Sequence, residues 1–187
     1  MTVYLFRHGK TQSNLERRYI GATDEPLCPE GRRELLALRP PRADAVYCSP
    51  MLRCRETAAI LYPGQEARIV PGLRETDFGI FEGHTYEELK DNAAYQAWLD
   101  TSRETPPPGG EGRQQVRWRV LAAFRSLAAE RRPEDASVAL IVHGGTIMTL
   151  LEALEATHQF YGWQVSNGGG FRCRWENGAL CDVEKLV

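Results

Sequence analysis

The amino-acid sequence predicts an α/β fold, a three-layer α/β/α sandwich with a mostly parallel central sheet. Three observations predict it. Short apolar runs alternate with longer stretches of mixed polarity, the pattern of strands joined by crossover helices. Within Ser137–Val142 every residue after the serine is apolar, as a central parallel strand covered on both faces requires. Two apolar runs end in histidine, at His8 and His143, and each histidine is followed by glycine. In open α/β sheets, ligands bind outside the carboxyl ends of the strands.

The elements follow in order. Thr2 to Phe6 reads as a buried strand running into Arg7-His8-Gly9. Pro29 to Arg39 reads as a helix, with Pro29 acceptable in its first turn and Pro40-Pro41 as its stop. Ala45 to Cys48 is a second strand, and Ser49-Pro50 opens a helix through Leu61. Ala67 to Val70 is a third strand, and residues 71–85 are a charged, glycine-containing loop. Tyr86 to Thr101 reads as helix, in one piece or two. The segment Thr105-Pro-Pro-Pro-Gly-Gly-Glu-Gly112 is the clearest breaker in the chain. A long helix then runs to Arg132, the His143 strand follows, and a helix reaches Leu154. Gly170–Trp175 and Leu180–Leu186 form a terminal hairpin across Asn177-Gly178.

A length of 187 residues, 42% hydrophobic and 26% charged, fits one domain over 1–187 with a sizeable core. The net charge of −2 gives no basic field, so neither nucleic acid nor an anionic membrane is expected as partner. Arginine dominates the cations, since only Lys10, Lys90 and Lys185 are lysines. Arginine suits bidentate phosphate recognition, although coding bias of the source genome accounts for the excess better than function does. Five cysteines without a CxxC pair point to a reducing compartment, the cytoplasm, and to neither disulfides nor zinc. No DxD or clustered His/Asp set suggests a metal, and no cofactor is expected.

Gly9 and Gly144 let the backbone approach a ligand closely. The helix after His143 offers free N–H groups and a positive dipole end to an anion. Five segments, in order, then resemble the motifs of the histidine phosphatase superfamily, also called phosphoglycerate mutase-like. They are Leu5-Phe-Arg-His-Gly-Lys-Thr11 with Asn14, Arg18–Leu27, Ser49–Ala58, Leu73–Gly83 and Val142–Thr146. The resemblance implies a phosphoglycerate mutase-like fold with a small helical cap inserted at about 85–112. It implies that His8 is the nucleophile, that Arg7, Arg53 and His143 hold the phosphoryl group, and that Asn14 adds a donor. Gly21 and Gly144 would offer backbone N–H groups to substrate. Glu75 matches the general acid; Glu82 is the rival carboxylate, its place before Gly83 favouring a structural role.

His84 and His158 read as surface residues, Arg55 and Arg74 as solvated neighbours of motif residues, and the tryptophans as packing. Lys10 stands where the family often has Glu. Asn167-Gly-Gly-Gly-Phe171 reads as a turn before the hairpin or as a loop at the edge of the substrate. Asp77–Leu89, Tyr95–Trp98 and Pro108–Gly112 look most like α-ribazole-5′-phosphate phosphatases of cobalamin nucleotide-loop assembly. The resemblance thus implies a metal-independent phosphomonoesterase acting through phosphohistidine on a small phosphorylated metabolite. The alternatives are a phosphoglycerate mutase and, less favoured because no catalytic position is empty, a binding protein of the same fold.

Overall fold

The computed structural model describes residues 1–101, 104–130, 136–155 and 160–186. Its centre is a six-stranded sheet. The strands are β1 (Thr2–Arg7), β2 (Ala45–Cys48), β3 (Arg68–Ile69), β4 (Ser137–Val142), β5 (Gly170–Glu176) and β6 (Ala179–Lys185). Their order is β3-β2-β4-β1-β5-β6, parallel across the first four and antiparallel at β5 and β6. The mixed sheet is thus mostly parallel, as the alternating sequence pattern requires. The hairpin β5–β6 turns at Asn177 and Gly178, both at positive φ, which this tight reversal demands.

Period-two alternation sorts the strand residues between two cores. Val3, Leu5, Val138, Leu140 and Val142 face one side with α6 (Arg113–Glu130) and α7 (Gly144–Leu154). Phe6, Val46, Cys48, Ala139 and Ile141 face the other, with α2 (Pro29–Ala37) and α3 (Leu52–Leu61). Helices on both faces make the three layers. A separate, largely aromatic cluster of Phe81, Leu89, Tyr95 and Trp98 joins α4 (Tyr86–Leu89) and α5 (Ala93–Asp100) to Tyr19 and Phe78. This is the expected small helical cap, in two pieces because Asn92 caps a fresh helix through the N–H groups of Ala94 and Tyr95.

Some boundaries move, for physical reasons. The second helix ends at Ala37, because Leu38 already adopts the extended backbone that leads into Arg39-Pro40-Pro41. The third starts at Leu52, since Met51 is extended and Ser49 continues the β2 ladder through its N–H to the Ile141 carbonyl. β3 shrinks to Arg68–Ile69, the two residues that reach β2. The predicted helix end at Arg132, and His158, lie outside the described residues. No described helix is long and apolar enough to cross a membrane.

Leu140 is fully buried at the middle of the sheet. Leu140→Ala should cost about 2–5 kcal/mol, the range for a truncated core leucine, read as a lower urea midpoint at unchanged slope.

Candidate active site

The site begins with strand register. β1 and β4 are adjacent and parallel, with Arg7 opposite Val142. The next residues, His8 and His143, therefore leave the sheet side by side. The His8 N–H donates to the Val142 carbonyl at 2.9 Å, and the two imidazole centroids lie 5.2 Å apart, edge to face. Both rings are almost wholly buried.

His8 has a defined tautomer. Its Nδ1 lies 2.7 Å from the Gly9 carbonyl oxygen, which can only accept. Nδ1 therefore carries the hydrogen, and Nε2 keeps the lone pair. Burial first, then the charges of Arg53 and Arg7, hold His8 well below the ordinary imidazole value. The ring is neutral and basic at Nε2 near neutral pH. Gly9, beside it, donates its N–H to Thr57 Oγ1, which in turn donates to the Arg53 carbonyl. Burial also dominates the lowering of His143, with Arg53, His8 and Arg7 adding to it.

Two guanidinium groups flank the pair. Arg53 is completely buried, its Nη1 and Nη2 donating to the carbonyls of Thr23 and Gly21 at 2.8 and 2.9 Å. Arg7 Nη1 donates to the Val165 carbonyl at 2.8 Å. The Nε–H of each arginine is buried with no hydrogen-bond partner within the protein. A buried unsatisfied donor costs roughly 1–3 kcal/mol, more when charged. Two such donors beside a neutral histidine make a place for an anion.

Glu75 sits opposite, at the start of α7. Its Oε2 accepts from the Gly145 N–H at 3.0 Å and its Oε1 from the Thr76 N–H at 2.9 Å. Part of the donor capacity of that helix end thus goes to Glu75. Arg119 holds the segment in place: it donates to the carbonyls of Gly72, Arg74 and Glu75 and to both carboxylate oxygens of Glu111. Glu82 does something else. Its carboxylate collects the N–H groups of Gly21, Ala22, Thr23 and Phe78 and the Thr23 hydroxyl. Burial alone would raise its pKa, but those donors outweigh it and leave the group lowered, a fixed anion that staples two loops.

A cleft of 570 Å³ opens over these groups. Arg7, His8, Asn14, Glu75, Gly144 and Gly145 line it. Arg53 and His143 do not; they lie beneath, with His143 Nε2 2.7 Å from Ser49 Oγ and its ring edge against Cys54 Sγ. Gly21 does not reach the cleft either. Its N–H is taken by Glu82 and its carbonyl by Arg53, and a Cβ there would overlap the Thr76 carbonyl. Gly21 thus holds Arg53, where an N–H to substrate was expected. His84 is exposed, as expected. Arg119 went unnoticed in the sequence, and Ser49 and Gly145 were seen only as parts of motifs, for their partners are carbonyls and side chains distant along the chain. Among the described residues, no three His, Cys, Asp or Glu side chains are grouped to hold a metal ion.

The histidine phosphatase superfamily (branch 1) pattern matches residues 3–183. The chain belongs to this superfamily. As a histidine phosphatase it is 32% identical, over 161 residues, to the adenosylcobalamin/α-ribazole phosphatase of Salmonella typhimurium, covering 82% of this chain and 78% of that one. It is 34% identical over 165 residues to the glucosyl-3-phosphoglycerate phosphatase of Mycolicibacterium vanbaalenii, covering 80% and 72%. Its fold superposes on a putative α-ribazole-5′-P phosphatase of Escherichia coli with a TM-score of 0.87 at 24% identity, over 100% of this chain and 95% of that one.

A Cβ on Gly145 would overlap the Glu75 carboxylate, the flexible end of a side chain. Gly145→Ala should therefore displace Glu75 and leave the fold intact. General acid catalysis is typically worth about 10²–10⁴-fold. The variant should lose about 10²-fold in kcat/KM on alkyl phosphates, little on aryl phosphates with good leaving groups, and little in melting temperature.

The buried histidines also tie stability to pH. Their folded pKa values lie below the unfolded value of about 6.5, so below that pH the unfolded chain binds more protons. Stability is then lost as pH falls. Each group contributes at most about 1.4 kcal/mol per pH unit. Urea titrations should show that loss, and His8→Asn should remove about half of it.

Proposed function

We propose that this histidine phosphatase is a metal-independent phosphomonoesterase that passes the phosphoryl group of a small phosphorylated metabolite through His8 to water. One observation carries the reading: a buried, neutral His8 with its proton fixed on Nδ1, between two arginines whose Nε–H groups have no protein partner. Nε2 attacks phosphorus, the P–O bond to the leaving group breaks, and an N–P bond forms. Arg7 and Arg53 balance the charge on the transferring group, where positioning and electrostatics supply most of the catalysis. Glu75, in its protonated form, gives its proton to the departing oxygen. Its carboxylate then takes a proton from water, which attacks phosphorus, releases phosphate and restores His8. His143, against the His8 ring edge, supports that ring, and the Asn14 amide adds a donor at the cleft wall.

The cleft favours a leaving group without further negative charge. Beyond Arg7, the cations among its described lining residues are Arg18 and Arg113. Arg18 is paired with Glu16 and Glu88, and Arg113 with Glu104 and Glu152. A phosphoglycerate mutase must grip a bisphosphate through several free cations. The other walls include Tyr19, Phe78, Trp98 and Phe160, apolar faces suited to a ring system. This supports α-ribazole 5′-phosphate, the type of substrate in the Salmonella relative's name, over phosphorylated acids. The five cysteines are all unpaired, which supports the cytoplasm as the compartment.

The test is a panel of phosphorylated metabolites, α-ribazole 5′-phosphate included, assayed for phosphate release by enzyme pretreated with chelator. Turnover quenched in base should leave an acid-labile phosphate on His8, and His8→Ala should abolish both. Efficient isomerisation of 3-phosphoglycerate primed with 2,3-bisphosphoglycerate, with negligible phosphate release, would overturn the assignment. So would activity that needs added magnesium or zinc.

A further inference from the structure

The glycine-rich segment after Ser166 has no role in the scheme above, yet it is built against the nucleophile. The Gly168 N–H donates to the carbonyls of Arg7 and His8, both at 3.1 Å, and the Arg7 N–H donates to the Gly169 carbonyl at 2.9 Å. Gly168 has φ +77°, a conformation that favours glycine. The turn is thus stitched to the end of β1 by its backbone, and it holds Asn167 in a fixed place.

The atoms of Asn167 are assigned by their partners. Its side-chain nitrogen lies 3.1 Å from the His8 carbonyl oxygen and 3.5 Å from that of Gly9, groups that only accept. The same nitrogen lies 3.0 Å from Asn14 Oδ1. Asn14 Oδ1 also accepts from the Thr11 N–H at 3.2 Å. Two donors therefore converge on one oxygen, and a flipped Asn14 amide would set N–H against N–H at both contacts. The oxygen of Asn14 faces the protein, and its NH₂ is turned to the other side. Asn14 lines the cleft with His8.

We propose that Asn167 is a positioning residue that, with the Thr11 N–H, locks the Asn14 amide with its NH₂ toward the phosphoryl group on its way to His8. The inference rests on the His8 reading above and deepens it. Without Asn167, one of the two contacts that forbid the flip is gone. With a carboxylate in its place, the Asn14 oxygen faces a negative charge, and the amide is driven over to present oxygen to an anionic substrate.

The experiment is a double-mutant cycle read as competitive inhibition by inorganic phosphate, together with kcat and KM. Asn14→Ala and Asn167→Ala should each weaken phosphate about tenfold, the low end for a hydrogen bond to a charged group. The double variant should be little worse than Asn14→Ala alone, because Asn167 acts through Asn14. Asn167→Asp, nearly the same shape, should weaken phosphate more than Asn167→Ala. Additive losses would overturn the proposal and leave the His8 reading intact. An Asn14→Ala variant with full phosphate affinity would overturn it by removing Asn14 from the site. A measurement on the unaltered protein guards against variants that fail to fold. In ¹⁵N-labelled enzyme, phosphate should shift the side-chain amide signals of Asn14 and leave those of Asn167 in place; a shift of Asn167 alone, or of neither, would overturn the proposal.

Discussion

The site depends on the pairing of β1 with β4. These two parallel strands run at the centre of the sheet, and their register sets Arg7 beside Val142. A parallel ladder carries both chains in one direction, so both leave the sheet at the same end and level. His8 and His143 emerge together for that reason, although 135 residues separate them along the chain; likewise His143 bonds Ser49 across 94 residues and Gly9 bonds Thr57 across 48. A slip of one residue would set His8 and His143 at different levels and part the two rings.

Burial does the second task. It shields His8, His143 and Arg53 from water at the sheet end and the first turn of α3, with Arg7 at the cleft wall. The like charges of Arg7 and Arg53 then favour neutral imidazole, and two guanidinium N–H groups are left without protein partners. The fold carries this unfavourable arrangement because the layers on both faces are well packed. In the proposed reaction an incoming phosphoryl group relieves it, which is how a folded protein reserves binding energy for a substrate. The carboxylates are sorted by the same logic. Glu82 is saturated with donors and fixed as an anion, while Glu75 sits at the cleft wall with the reacting groups.

The surrounding loops serve as props for these few groups. Arg119 reaches from α6 to three successive-loop carbonyls around Glu75, and Gly21 and Thr23 hand their carbonyls to Arg53. The cap adds aromatic wall, and Arg18 at the cleft is already bound by Glu16 and Glu88. In the proposed reaction the cap faces the leaving group, and the sheet end holds the phosphoryl group.

The sequence by itself determined the alternation of strands and helices, the central strand Ser137–Val142, the hairpin at Asn177-Gly178 and the two histidines at strand ends. These are local facts: apolar period, turn chemistry and a motif in the order of the chain. The motifs also marked Arg7, His8, Arg53, Glu75 and His143. Tertiary structure alone decided which of them face the cleft, placing Arg53 and His143 beneath it and giving Gly21 to Arg53 and Glu82. It also decided the tautomer of His8, the clamp of Arg119 and the partners of Asn167. Those are hydrogen bonds to backbone carbonyls and to side chains remote in sequence. A carbonyl has no letter of its own in the sequence, so its partner can be found only when the chain has folded.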